Sequence, residues 1–281
     1  MTAAPVIACT THSFGIVPLG AALRIIRALE IDCADLIAAT YPEQLDPYAL
    51  AAHPAQEAER IGNLAADAHV TLTGCFVAFR ERLGSPDPAE GRRRQELFAA
   101  VAAFCRQCRI AHLQAGVGRA EPGLSPDEQF AVTAENVRAA REAVGAVGGV
   151  ELLIEAQRGA AVQTPAELER LLAAVPGLRI NHDPGQFACQ GCDQASYEGL
   201  YSRTAHIHMR QARPGALQTR LEEGTVDFVR VIEGLQASGF TGVYATEYVH
   251  FAGVPDCSTV DVVTETVKMR DLIRRAGAGG A

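Results

Sequence analysis

Residues 204–211 read T-A-H-I-H-M-R-Q, an apolar run in which every second side chain, His206, His208 and Arg210, is polar and basic. Alternate residues of a β-strand share a face, so these three line up on one side. Burying such a face is costly unless its polar groups are met, and a row of imidazoles is most simply met by a metal ion, a substrate or carboxylates. Carboxylates end three other apolar runs of the chain. E-L-L-I-E-A-Q-R delivers Glu155, R-I-N-H-D-P-G-Q-F delivers Asp183, and V-Y-A-T-E-Y-V-H delivers Glu247. Together with the imidazole of His208 they form a mostly oxygen shell, which suits one divalent ion of manganese, magnesium or cobalt, with zinc as an alternative. Singly, each residue has an ordinary explanation: an Asp before Pro-Gly forms turns, and a lone His is commonly a satisfied core group. As a set they do not, because clustered buried carboxylates repel one another unless a cation joins them.

Such a set has to be positioned by the elements on which it sits. Strand-like runs at 5–10, 33–39, 70–79, 110–117, 150–155, 178–183, 204–211 and 242–248 alternate with helical patterns, among them 18–29, 48–66, 89–108 and 226–238. Two helix starts are explicit. Ser125-Pro126-Asp127-Glu128 and Thr164-Pro165-Ala166-Glu167 each place a capping hydroxyl before a proline, with an acid in the first turn. Eight strand–helix units of about 35 residues, with no linker, predict a single-domain α/β protein, a closed (β/α)8 TIM barrel over 1–276 with a flexible tail at 277–281. An open doubly wound sheet is the alternative, but neither G-x-G-x-x-G nor G-x-x-x-x-G-K-[ST] follows an early strand. Barrel enzymes carry their active sites at the C-terminal ends of the strands, which is where Glu155, Asp183, His208 and Glu247 fall.

Composition narrows the function. With 281 residues and 48% hydrophobic content the chain can bury an ample core. A net charge of −8 and the lack of a long basic run argue against a nucleic-acid partner, and Arg92-Arg93-Arg94 reads as the solvated face of a helix. No stretch approaches the roughly 18 apolar residues of a membrane span and no charged segment precedes the first apolar run, so a soluble, cytoplasmic protein without a membrane partner is expected. The eight cysteines are dispersed, as suits a reducing compartment, and the pairs Cys105/Cys108 and Cys189/Cys192 are too far apart in sequence for a zinc ribbon.

The ordered set I-E-A-Q-R-G, N-H-D-P-G-Q-F, H-I-H-M-R-Q-A-R-P-G, a G-T-V-D-F helix start and A-T-E-Y resembles the xylose-isomerase-like TIM-barrel superfamily over essentially the whole chain. Within it the chain is most similar to the sugar isomerases and epimerases that include hydroxypyruvate isomerase, the ketose 3-epimerases and inosose dehydratase. The resemblance implies that Glu155, Asp183, His208 and Glu247 hold one divalent ion and that Glu155 and Glu247 are acid/base partners across the substrate. It places His206 one layer deeper, in a hydrogen-bonding role. Many members carry a histidine three residues after the aspartate, where this chain has Gln186. That departure counts against the related apurinic endonucleases, whose later ligands are also replaced by Q-T-R-L-E-E-G-T.

Expected substrate-binding residues are His12 at the end of the first strand, Gln157 and Arg158 just after Glu155, Gln186, and Arg213 beyond His208. Tyr248, His112 and His250 lie near the rim, and His53 and His69 away from it. The expected function is isomerisation or epimerisation of a small sugar or cyclitol-like polyhydroxy carbonyl compound, by proton transfer through an enediolate that the ion stabilises. A lyase or dehydratase expelling a β-substituent from the same site is the alternative, and a sugar-binding protein without turnover is the second. A homo-oligomer is compatible with all three.

Overall fold

The computed structural model describes residues 4–39, 44–250 and 257–278. Eight strands, β1 (Val6–Thr10), β2 (Cys33–Ala38), β3 (Thr71–Val77), β4 (His112–Gly116), β5 (Glu151–Glu155), β6 (Arg179–His182), β7 (Thr204–Met209) and β8 (Val243–Thr246), pair in sequence order into a closed parallel barrel. Closure runs through β1 and β8, with Val6 opposite Val243 and Cys9 opposite Thr246. The predicted (β/α)8 TIM barrel is therefore the fold.

Helices α1 (Leu19–Ala28), α2 (Pro47–Ala52), α3 (Pro54–Asp67), α4 (Pro88–Gln107), α5 (Pro126–Val147), α6 (Pro165–Ala174), α7 (Pro184–Cys189), α8 (Phe228–Ala237) and α9 (Val262–Ala278) pack around it. All six from α2 to α7 open on proline, whose fixed φ and missing N–H suit the first helical position. Both expected helix starts form, each as a capping box. The Ser125 and Thr164 hydroxyls accept from the amides of Glu128 and Glu167, whose carboxylates reach back to the cap amides.

Two expectations about elements need correction. The single helix predicted over 48–66 is broken into α2 and α3, because Pro54 cannot donate to the preceding turn and holds His53 out of the helical region, at φ −134° and ψ 54°. The tail predicted at 277–281 begins too early. Helix α9 continues to Ala278, and Gly277 lies so close to Pro5 that a Cβ would come within 2.7 Å of its ring; residues 279–281 lie outside the described residues.

The apolar core lies mainly between sheet and helices, where outward-facing strand residues such as Ile207 and Met209 are fully buried. Inside the barrel the side chains are unusually polar. Asp35, Gln114, Asn181, His206 and His208 are all at most 1% exposed. Two register shifts adjust how they meet. One extra residue, Thr73, is accommodated where β3 runs beside Asp35, and one, Ala205, where β7 runs beside Asn181. An extra residue re-phases the in/out alternation against the neighbouring strand and so re-aims the side chains that follow it. No described helix is long and apolar enough to cross a membrane.

Candidate active site

The C-terminal ends of β5 to β8 place the expected carboxylates and imidazole at one rim. Glu155 closes β5, Asp183 follows β6 as the cap of α7, His208 lies in β7, and Glu247 follows β8 with its amide bonded to the Met209 carbonyl at 3.0 Å. All four are between 1% and 7% exposed. His208 Nδ1 is the meeting point, 3.3 Å from Glu155 Oε2 and 3.4 Å from Glu247 Oε2. Asp183 joins through a fifth residue, Arg210, whose Nη2 lies 2.6 Å from Asp183 Oδ2 and 3.3 Å from Glu247 Oε2. The other Asp183 oxygen accepts from the Gly185 amide at 2.8 Å. A Cβ on Gly185 would come within 2.9 Å of that oxygen, so this turn requires glycine.

Asn181 fixes the chemistry of the imidazole. Its Nδ2 lies 2.6 Å from Glu155 Oε2 and 3.1 Å from His208 Nδ1. The contact with the carboxylate assigns that atom as the amide NH2, so it also donates to Nδ1, which in the neutral ring then carries the lone pair. The ring proton sits on Nε2, which faces Asp35 Oδ2 at 3.6 Å. Asp35 is itself held by His206 Nε2 at 2.5 Å and by the Thr73 hydroxyl at 2.6 Å.

The charges share one demand. Burial pushes Asp183 up to about 6, with Glu155 and Glu247 adding to the rise and Arg210 and His208 opposing it. Burial would raise Glu247 too, but Arg210 and His208 hold it well below the usual carboxylate range. For His208 burial acts downward and is outweighed by Glu247, Asp35 and Glu155, which push it well above its ordinary value. Three carboxylates and one guanidinium carry a formal charge of −2, and the carboxylates that favour a proton on the imidazole would equally favour a cation in its place. One divalent ion would balance that charge. The donor set fits such an ion: hard oxygens, an imidazole nitrogen facing two of them, and a buried Glu247 Oε2 with no hydrogen-bond partner among the described residues.

A second group of metal-competent atoms lies directly beneath. Asp35, His206 and His208 bring one ligand atom each within 4.8 Å of one another. It uses the opposite nitrogen of His208, so a single imidazole faces both groups. Of the upper set, Glu155 and Glu247 open to a cavity. A pocket of about 170 Å³ is lined by Glu155, Glu247 and Arg210, with Phe76 and Leu217 among its apolar walls, and neither Asp35 nor His206 reaches it.

The expected substrate-binding residues divide. His12, Gln157 and Gln186 line this pocket. His12 Nδ1 is 3.9 Å from Glu247 Oε1, and Gln157 Nε2 donates to Glu155 Oε1 at 3.0 Å. Gln186 Oε1 accepts from the Arg158 amide at 3.1 Å, but Arg158 itself lines a neighbouring groove. Arg213, expected to bind substrate, is exposed in a turn that pairs with Ala216 and does not line the pocket, whereas Arg210 does. Tyr248 is buried, its hydroxyl accepting from the Gln211 amide at 3.1 Å. Asp35, Asn181 and Arg210 are absent from the expected site. Each had a signal: Asp35 and Asn181 are polar residues inside apolar runs, and Arg210 continues the alternation of His206 and His208.

The chain matches the family model for the xylose isomerase-like TIM barrel over residues 23–269. Among solved structures it is similar to D-psicose 3-epimerase with D-tagatose from Clostridium cellulolyticum H10, at 13% identity and a TM-score of 0.68, covering 96% of this chain and 94% of that one. It is similar to 3-keto-D-glucoside 4-epimerase from E. coli, at 13% identity and a TM-score of 0.69, covering 96% and 99%. A D-allulose 3-epimerase from Methylomonas sp. in complex with D-allulose shares 15% identity at a TM-score of 0.72, covering 98% of each chain. At these identities the likeness is one of fold. No curated protein matches the sequence.

Proposed function

Since this chain belongs to the xylose isomerase-like TIM barrel family, we propose that it is a divalent-metal-dependent isomerase or epimerase of a sugar or related polyhydroxy carbonyl compound. The observation that carries this reading is the pair Glu155 and Glu247, which reach the same nitrogen of His208 from different strands and line one pocket. The similar folds that bear names are sugar epimerases, which supports the choice of substrate class.

Glu155, Asp183, His208 and Glu247 would hold the ion, which when bound supplies Lewis acidity toward a carbonyl and the hydroxyl beside it. The chain's own groups then divide the work. One glutamate removes the proton alpha to the carbonyl, giving an enediolate; its partner, having taken the proton of the adjoining hydroxyl, delivers it to the same or the neighbouring carbon, and the first glutamate returns its own proton to oxygen. Arg210 keeps Glu247 ionised and pins Asp183 in place. Gln157 and Asn181 each donate to one oxygen of Glu155, fixing the plane of that carboxylate. Ile37, Phe76 and Leu217 form the apolar wall that keeps water from the carbanion.

The test is to incubate manganese-loaded protein with ketoses, inososes and 3-keto-glycosides in deuterated water and to follow them by NMR. Deuterium beside the carbonyl, with every hydroxyl retained, is expected. An unsaturated product or a released substituent replaces this reading with a lyase. Binding without exchange across the panel replaces it with a sugar-binding protein.

A further inference from the structure

Next to the catalytic pocket lies a second, wider space. The segments following β4 and β5 enclose an open groove of about 580 Å³, walled by Arg119, Gln157, Arg158, Gln163, Gln190 and small residues between them. Gln157 belongs to both spaces, so the groove begins where the pocket of about 170 Å³ ends.

The lining of the groove is chemically one-sided. Its described lining residues include two arginines and three glutamines and no carboxylate, in a chain whose net charge is −8. Arg119 is exposed and forms no ion pair among the described residues, while the nearest acid in sequence, Glu121, is already taken by Arg82. The walls are also pre-set. The Ala161 amide donates to Gly118 O at 2.8 Å, the Gly159 amide to Gln163 Oε1 at 2.9 Å, and Gln190 Nε2 to Gln163 O at 2.9 Å. A groove fixed by its own hydrogen bonds spends little ordering entropy when a ligand enters. The apolar walls of the pocket suit the reacting carbons; the groove suits something charged and hydrogen-bonding.

We propose that this groove is the subsite for an anionic substituent, a phosphate or a carboxylate, carried by the substrate away from its reacting carbons, with Arg119 as its principal partner. The idea rests on the reading of the pocket as the place where a polyhydroxy carbonyl unit reacts. A guanidinium presents a planar fork that matches either oxyanion in a bidentate way.

Unreactive ligands test this independently of turnover. Binding of a hexitol, its terminal phosphate and the corresponding hexonate to manganese-loaded protein is measured by calorimetry, in wild type, Arg119→Gln and Arg119→Lys. At least one anion is expected to bind on the order of tenfold more tightly than the hexitol, and which of them does so assigns phosphate or carboxylate. Arg119→Gln should abolish the advantage and leave hexitol affinity unchanged, with Arg119→Lys intermediate. Equal affinity for all three ligands overturns the proposal. So does an advantage that survives Arg119→Gln, since the anion would then be held elsewhere, at the metal for instance. A chain that keeps the anion advantage yet exchanges no substrate proton would sink the proposed reaction and leave the subsite standing.

Discussion

Glu155 and Glu247 are held differently, and the difference can be tested one residue at a time. Glu155 is fixed by two amide donors, Glu247 by a guanidinium and two imidazoles. Replacing either by Gln keeps shape and removes proton transfer, so kcat should fall by about 10²–10⁴-fold while calorimetric affinity for an unreactive polyol changes little. Gln157 lies across Gly116, where a Cβ would come within 2.3 Å of its Oε1. Gly116→Ala should therefore push Gln157 off Glu155 and lower kcat about as much as Gln157→Ala does, and the double variant should be no worse than either single one, because both remove the same contact. Asp35 holds the far nitrogen of His208, and outer partners of metal-ligating histidines are worth about 10–100-fold in metal affinity; Asp35→Asn should weaken manganese binding by that factor in an EPR titration. The residues that end apolar runs were legible in the sequence because strand ends face the rim of any parallel barrel. Asp35 and Asn181 were not, since their importance lies in which side chains they meet across the interior, and no local pattern encodes a partner 171 residues away, as His206 is from Asp35.

At the scale of elements, alternation and helix-start signals survive folding almost unchanged, whereas phase within the barrel does not. The register shifts beside Asp35 and beside Asn181 leave no mark in the periodicity, because each is set by how two strands align and not by either alone. Strand β4 carries a testable consequence of the polar interior. His112 is pushed down to about 4, first by burial and then by His206 and Arg179, with Asp35 opposing. A histidine lowered in the folded state stays neutral while its unfolded counterpart takes up a proton. Its contribution is therefore complete above the unfolded value and is lost as pH falls from about 6.5 toward 4, by up to about 3 kcal/mol. Urea unfolding at pH 7 and pH 4.5 should show that loss, and His112→Gln should reduce it.

For the whole molecule, a bound ion links the site to stability. Saturation at about 100 times the dissociation constant favours the folded state by about 2.7 kcal/mol, so manganese should raise the melting temperature of wild type, and Asp183→Ala and His208→Ala should melt at the same temperature with or without it. An unchanged wild-type melting curve would count against the ion. The overall architecture was the most legible level, because eight repeats of one pattern average out local errors such as the helix broken at Pro54. That architecture also sorts the residues by sequence position. Every proposed ligand of the ion comes from β5 to β8, whereas His12, Ile37, Phe76 and the groove's Arg119 come from β1 to β4 or the segments just after them. The ligands of the ion are thereby inherited on one half of the chain, while the pocket around them is assembled from both, since Gln157, Gln186 and Leu217 join His12, Ile37 and Phe76 in its wall. Recombination near residue 150 between distant members of such a family would keep the ligand set together while exchanging part of the pocket wall, and the seam would run through the site as well as the sheet: besides β4 with β5 and β8 with β1, it separates His206 from Asp35 and Ala161 from Gly118.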